Sequence, residues 1–463
     1  MRHQLLEQLL APAALSAFVL MAACSSGGNG TAFPSQPNAA GAQTQAPAQI
    51  AAKIRSHKFT VVREGPAARV CPDVPAGFAH CHAWRRLDVG QVGPDVRPEH
   101  GQPLRKPSPG ASQPPPTTPA PLPSAPASSC TNPGSGYTPC DLQAAYNVAN
   151  SVGGSRQTVG IVDAYDDPNA ESDLAVYRSQ FALPACTTSS GCFRKLNQSS
   201  VKGNYPNANA GWAQEISLDL DMVSAICPNC KILLVEANSS SFGDLAAAVN
   251  TAVSSGATVV SNSYSGGESQ STVTSFGPAY SHAGVTITAS AGDNGYSSTA
   301  QFPDDLNTVV SVGGTTLSSI DPRVESAWNN AGSGCSSLAS ASTSRPNWQT
   351  ALANVTGVCP RRAYTDVSAV GDPNTGVDAY DSYQSSGWLL FGGTSVSSPI
   401  IASIFALAGN AASAGPAYPY AHSVSLNDIT SGSNGHCHSG LCNATDGWDG
   451  PTGLGSPNGT SAF

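Results

Sequence analysis

Ser395 lies in the stretch Phe391-Gly-Gly-Thr-Ser395-Val-Ser-Ser-Pro399, where a turn of small residues hands a hydroxyl to an apolar run over 400–408. The run reads as a buried helix, so Ser395 falls at a helix N-terminus. Free backbone N–H groups and the helix dipole there favour an attacking oxygen and the oxyanion that attack creates. A plain helix cap is the competing explanation for such a serine. What separates the two is whether the chain supplies a base. Between residues 130 and 421 the only histidine is His282, and His422, His436 and His438 follow in loop-like sequence. An imidazole base is therefore poorly provided for, and a carboxylate is the better candidate.

The segment 212–226 supplies one. Read as a helix at roughly 100° per residue, it sets Glu215 and Asp219 only about 40° apart. Ile216, Leu220 and Val223 flank them on one side, and Leu218, Met222 and Ala225 on the other. Ser217, Asp221 and Ser224 fill the opposite arc, which is expected to face water. Glu215 and Asp219 thus project from a face suited to burial, where two carboxylates cannot both ionise cheaply and come to share a proton. Glu215 can then take a proton from Ser395, with Asp219 holding it in position. A carboxylate base acts only when ionised and is weakly basic, which places the chemistry at acidic pH. A third acid, Asp293, sits in Ser290-Ala-Gly-Asp293-Asn-Gly295 just past an apolar strand. It is a turn former or, if protonated, a hydrogen-bond donor to an oxyanion.

These residues need a frame. Strand signals at 158–163, 231–236, 258–263, 285–289 and 308–312 alternate with helical signals at 169–181, 212–226 and 242–254. Several of the strands are apolar throughout, as in a parallel sheet covered on both faces. An α/β fold with a mainly parallel sheet follows, and its site belongs at the carboxyl ends of the strands. Asp163, Asn262 and Asp293 stand at or just past such ends.

The chain has 463 residues, of which 11% are Asp, Glu, Lys or Arg, with a net charge of −9. The balance argues against a nucleic-acid partner, and so few charges suit an acidic medium. Residues 1–24 read as an export signal with an apolar core too short to span a bilayer. It closes on Leu20-Met-Ala-Ala-Cys24, similar to a bacterial lipoprotein site with Cys24 lipidated; ordinary signal-peptidase cleavage is the alternative. Such an anchor would be the chain's only link to a membrane. Residues 25–129 combine a low-complexity tether, a small cysteine-containing segment and a proline-dense spacer, leaving 130–463 as the main domain. Setting Cys24 aside, twelve of the thirteen cysteines remain, an even number in an exported chain. They fall into local pairs: Cys71/Cys81, Cys130/Cys140, Cys186/Cys192, Cys227/Cys230, Cys335/Cys359 and Cys437/Cys442. Spacing leaves connectivity open, and a metal held by Cys71, His80, Cys81 and His82, or by Cys227 and Cys230, is the weaker alternative.

Taken together, the motifs resemble the sedolisins, the serine-carboxyl peptidases of subtilisin-like fold. Gly393-Thr-Ser395-Val-Ser-Ser-Pro399 matches the family's nucleophile segment, Glu215 and Asp219 its Glu-x-x-x-Asp helix, and Asp293 its oxyanion turn. The resemblance runs from about residue 130 to the C-terminus. It implies an acid-acting peptidase, a monomer working on protein or peptide substrates through a Ser395–Glu215–Asp219 triad and an acyl-enzyme. It also implies one calcium ion, by a match at Asn427-Asp-Ile-Thr430 and Asp446-Gly-Trp-Asp-Gly450. There Asp428 and Asp449 would give side-chain oxygens, and Ile429, Thr445 and Gly447 backbone carbonyls. Few charges and hard oxygen donors suit calcium, and Asp446 is a competing carboxylate. Residues 51–100 are too few for the large folded propeptide the family commonly carries. A serine esterase, or a non-catalytic binding or adhesion protein on the same scaffold, are the alternatives. The first lacks its usual Gly-x-Ser-x-Gly elbow, since residue 397 is a serine.

Overall fold

The computed structural model describes residues 65–89, 134–148, 153–297, 300–411 and 414–463. The expected export signal with Cys24, the spacer and Cys130 lie outside them. Three short strands come first: β1 (Ala67–Arg69), β2 (His80–Cys81) and β3 (Trp84–Arg86).

An eight-stranded sheet organises the rest. Its members are β4 (Thr158–Ala164), β5 (Phe193–Asn197), β6 (Lys231–Ala237), β7 (Val259–Asn262), β9 (Thr286–Ser290), β11 (Val310–Ile320), β12 (Arg323–Ala327) and β13 (Val367–Val370). The order is β12-β11-β9-β7-β4-β6-β5, with β13 also pairing β11. Every ladder is parallel except the β11–β12 hairpin. β11 runs well past the expected 312, because its outer half pairs in that hairpin and carries Ser and Thr rather than an apolar run. β8 (Tyr264–Gly267) continues from β7 and pairs with β10 (Gln301–Phe302) and with β2. β14 (Val377–Asp381) and β15 (Gly387–Gly392) form a hairpin.

Helices cover both faces. The period-two alternation of a doubly buried strand is plain in β6. Ile232 and Leu234 join one core with helices α1 (Pro139–Ala145), α2 (Ala170–Gln180), α3 (Ala210–Ile226) and α5 (Thr394–Ala408). Leu233 and Val235 join another with α4 (Phe242–Ser254). Asn209 caps α3, its side chain accepting from Gly211 N and Trp212 N at 3.0 and 3.1 Å.

The water-facing arc expected on α3 does not exist. Ser217, Asp221 and Ser224 are as buried as the carboxylate face. α3 lies between α5, α2 and β14, and each polar residue finds a buried partner. Asp221 accepts from Tyr380 N at 2.9 Å, Ser224 accepts from Arg178 at 2.8 Å, and Ser217 donates to Asp167 at 3.3 Å. Periodicity sees polarity and cannot distinguish water from a buried partner.

Five expected disulfides are formed: Cys71–Cys81, Cys186–Cys192, Cys227–Cys230, Cys335–Cys359 and Cys437–Cys442. Cys140 is disulfide-bonded as well. With their thiols oxidised, Cys71 and Cys81, and likewise Cys227 and Cys230, are not available as metal ligands, which removes that alternative. No helix among the described residues is long and apolar enough to cross a membrane.

Candidate active site

The site forms where α5 begins. Gly393, its N-cap, has φ +97°, a backbone only glycine adopts readily. Space forbids a side chain there too: a β-carbon would stand 1.7 Å from the carbonyl oxygen of His82 and 2.9 Å from Asp293 Oδ2. The proline four residues after Ser395 has a local reason. Pro399 has no N–H to give the Ser395 carbonyl, and that oxygen instead accepts from the Ser263 hydroxyl at 3.4 Å. Three further hydroxyls of α5 fix its depth. Thr394 Oγ1 donates to Asp293 at 2.7 Å, Ser397 to the Ala369 carbonyl at 3.1 Å, and Ser398 lies 2.9 Å from both Ser261 and Thr288.

Ser395, Glu215 and Asp219 are fully buried and Asp293 nearly so. The structure brings all four together. Ser395 Oγ donates to the Ser263 carbonyl at 3.2 Å and accepts from His82 N at 3.1 Å. Glu215 Oε2 accepts from Ala83 N at 3.0 Å. Asp219 Oδ1 accepts from Ser263 Oγ at 2.7 Å, so Ser263 links the second acid to the backbone of the serine. Asp293 Oδ1 accepts from Thr394 N at 2.9 Å; Oδ2 has no hydrogen-bond partner among the described residues.

Burial raises every acid here. Glu215 stands well above the usual range because it is desolvated and close to the charge of Asp163, an effect only partly offset by the Ser395 hydroxyl and Ala83 N–H. Asp219 is raised by burial, then by Asp163 and Glu215. Asp293 is pushed up by burial to about 7, against the opposing pull of its Thr394 hydrogen bonds. Glu215, Asp219 and Asp163 therefore hold protons in common, and Asp293 stays protonated through the acid range.

Asp163 belongs to this group. Its pKa is pushed up by burial to about 8, and neither oxygen has a hydrogen-bond partner among the described residues. Its place at a strand end was the available signal, but spacing gave it no link to Glu215. Asn262, at another strand end, does not join: its side chain bonds the Thr288 carbonyl and the Tyr264 hydroxyl. No imidazole ring hydrogen-bonds Ser395 among the described residues. His82 meets the serine with its backbone, while its Nε2 lies 2.6 Å from Ser265 Oγ.

The candidate calcium residues lie in the C-terminal loops. Gly447 N donates to Asp428 Oδ2 at 2.8 Å, and Thr445 N to Asp449 Oδ2 at 3.0 Å. Asp449 is fully buried, Asp428 exposed. No cluster of three or more His, Cys, Asp or Glu suited to a metal occurs among the described residues.

A model of the subtilase family matches residues 199–423. Kumamolisin from Bacillus sp. (strain MN-32) is 29% identical over 358 residues, covering 70% of this chain and 62% of the relative. Sedolisin from Pseudomonas sp. (strain 101) is 27% identical over 363 residues, covering 69% and 60%. Among solved structures, Pseudomonas sedolisin, a serine-carboxyl proteinase complexed with two molecules of pseudo-iodotyrostatin, superposes with a TM-score of 0.61 at 26% identity. That match covers 70% of this chain and 95% of the other. The chain spans about three fifths of the length of these curated relatives. Fold and site together define a protein of the subtilisin-like α/β class with carboxylates, not histidine, around its serine. Within that class, the chain is similar in sequence to kumamolisin and sedolisin and in structure to Pseudomonas sedolisin.

Proposed function

We propose that this chain is an exported serine-type peptidase that hydrolyses peptide bonds of proteins or peptides in acid. One observation carries the reading: Ser395 is buried beside a carboxylate cluster, and no histidine ring among the described residues bonds its hydroxyl. Ser395 Oγ attacks the substrate carbonyl carbon while its proton passes to Glu215. Asp219 holds and tunes Glu215, and Asp293, protonated, donates to the oxyanion. Glu215 then protonates the leaving amine, and water hydrolyses the acyl-enzyme along the same path in reverse.

The test is digestion of an unfolded protein across the acid-to-neutral range. Ser395→Ala should be inactive, and Glu215→Gln should lose roughly 10²–10⁴-fold, the scale of acid–base catalysis. Undiminished hydrolysis by Glu215→Gln, or a maximum in alkaline buffer, would overturn the assignment. A serine esterase would show turnover of esters alone, and a binding protein would be indifferent to Ser395→Ala.

The C-terminal loops suit calcium. Asp428 and Asp449 make no ion pair among the described residues. They are the side-chain donors, with Ile429, Thr445 and Gly447 offering carbonyls. Oxygen donors of this kind, with few charges, favour calcium over softer metals. The ion would tie loop 426–430 to loop 445–449 and takes no part in bond cleavage. We also read the protein as a monomer outside the cytoplasm, with Cys24 as its lipid anchor.

A further inference from the structure

β8 begins at the candidate site and ends at a second pair of acids. The residue just before it, Ser263, accepts from Ser395 Oγ through its carbonyl and donates to Asp219 through its hydroxyl. The residue just after it is Glu268. What fixes β8 on this side is slight: its ladder with β10 has two rungs, Gln301 opposite Gly267 and Phe302 opposite Gly266. Ser265 Oγ adds a bond to Gln301 at 2.6 Å. Beyond the ladder, Glu268 N donates to the Ala300 carbonyl at 3.2 Å and Asp305 N to the Gln301 carbonyl at 2.9 Å. These two bonds set the Glu268 and Asp305 side chains, one from each strand's flank, at the same end of the ladder.

Glu268 receives donors. Oε1 accepts from Ser337 N at 2.8 Å and Ser337 Oγ at 2.7 Å, and Oε2 from Ser336 Oγ at 2.8 Å. A carboxylate has about four acceptor places, so about one is left. The serines are themselves fixed: Ser336 N donates to the Arg362 carbonyl at 2.9 Å, and Cys335 before it is bonded to Cys359. Asp305 is the opposite case. It is fully buried, and no N–H or O–H among the described residues reaches either oxygen. What lies against it is Glu268. Two ionised carboxylates would repel there, whereas one proton makes the contact a charge-assisted hydrogen bond. Burial raises Asp305 well above the usual carboxylate range, and Glu268 and the charge of Asp304 raise it further, against a weaker pull from Arg362. The other groups around the pair do not compete. Arg362 is committed to Asp366 at 2.5 and 2.8 Å, and burial keeps Asp304 and Tyr364 in their neutral forms. A cation could also join two carboxyls, but no cluster suited to a metal occurs among the described residues.

We propose that Asp305, carrying a proton, donates to the Glu268 carboxylate, and that this one bond clasps β10 to β8 and so keeps Ser263 against Ser395 and Asp219. As the pH rises Asp305 gives up the proton, the two carboxylates repel, and the far end of β8 opens. Asp305 and Glu268 are positioning residues: neither touches the reacting atoms, and both act through Ser263. Their effect on turnover rests on the peptidase reading above; their effect on β8 does not.

The experiment is amide hydrogen exchange by mass spectrometry on the full chain carrying Ser395→Ala, at about pH 4 and about pH 9, corrected for the intrinsic rate at each pH. We expect a peptide covering 264–268 to lose about tenfold or more of its protection at the higher pH, while α4 loses less. Adding Asp305→Asn, whose amide donates at any pH, should keep the peptide protected at both. Adding Asp305→Ala should leave it open at both. Protection in acid that survives Asp305→Ala would overturn the proposal, and so would protection without Asp305→Asn that persists unchanged at about pH 9. Protection that added calcium restores at the higher pH would put a cation in the proton's place and equally overturn it. With Ser395 present, digestion of a labelled unfolded protein at about pH 4 should show kcat/KM about tenfold or more lower for Asp305→Ala and within about threefold of wild type for Asp305→Asn. Equal kcat/KM for Asp305→Ala and wild type would remove the link from the clasp to the site. If no form digests anything, the peptidase reading fails, and the exchange data still decide the clasp.

Discussion

Asp293 shows how little a side chain's identity says until its surroundings are known. An aspartate in a Gly-Asp-Asn-Gly turn is an ordinary turn former. Here one oxygen is committed to Thr394 and the other is buried without a partner among the described residues. With its pKa pushed up by burial to about 7, it holds a proton in acid and loses it as the pH approaches neutral, which on the proposed reading is when the oxyanion would lose its donor. Asp293→Asn separates this from a merely structural role. An amide can accept from Thr394 through its oxygen and donate through its nitrogen, with no titration. The variant should keep substantial activity, within about 10²-fold of wild type, and its decline on the alkaline side should move to higher pH. A profile falling at the same pH as wild type would show that a different group sets that limb. Asp163 is the converse case. Its charge is the largest Coulombic influence on both Glu215 and Asp219. Asp163→Asn should let the pair ionise more readily and shift the acid limb of the pH–rate profile downward, read as kcat/KM against pH.

Among the elements, those that were legible in the sequence share one property: their pattern is local. α4 runs from Phe242 to Ser254 as its alanine-rich face and Ser241 cap imply, and α5 begins at Thr394, with Ser395 in its first turn. The Glu215–Asp219 pair was legible because both lie on one helix. What was hidden is what arrives from far along the chain: the Asp163 carboxylate, the partners of Asp221 and Ser224, and above all β2 and β3. Those strands are two and three residues long, and their ladder partners lie some 180 and 300 positions away. No periodicity marks so short a run, and the proline-dense spacer after it suggests separation, not docking. The loops 426–430 and 445–449 carry a prediction of their own. They meet through Gly447 N and Asp428, and further along the chain β17 (Ser456–Pro457) pairs with β16 (Leu426–Asn427) of the first loop. If calcium joins them, a chelator should lower the melting temperature, and Asp449→Ala should lower it without chelator and abolish the difference. Equal melting curves with chelator and with added calcium would rule the ion out.

For the molecule as a whole, the number of buried acids sets the pH range in which it is stable. Burial pushes Asp167, Asp293, Asp378 and Asp381 up to about 7, and Asp163 to about 8. In the unfolded chain an aspartate ionises at about 3.9. From about pH 4 to 7 the folded protein therefore keeps protons that the unfolded chain would release. The unfolded state binds fewer protons in that window, so stability falls as pH rises through it. Below about pH 4 both states are protonated at these groups, and their contribution is at its most favourable. The usual opposing effect, repulsion among positive charges as surface acids are neutralised, is limited by a total of only 21 Lys and Arg and 9 His in 463 residues. The melting temperature should accordingly be higher near pH 4 than at pH 7, the reverse of a protein held by ionised carboxylates. Ser395→Ala is the form to melt, since it cannot digest itself during the scan. Asp378→Asn offers the control away from the site, where the carboxyl accepts from Gly136 N at 2.9 Å. Removing one such proton should flatten the slope between pH 4 and 7 by the share of a single group. A melting temperature that climbs steadily from acid to neutral would mean that these carboxyls are ionised in the folded protein, and the shared-proton account of Glu215 and Asp219 would lose its electrostatic basis.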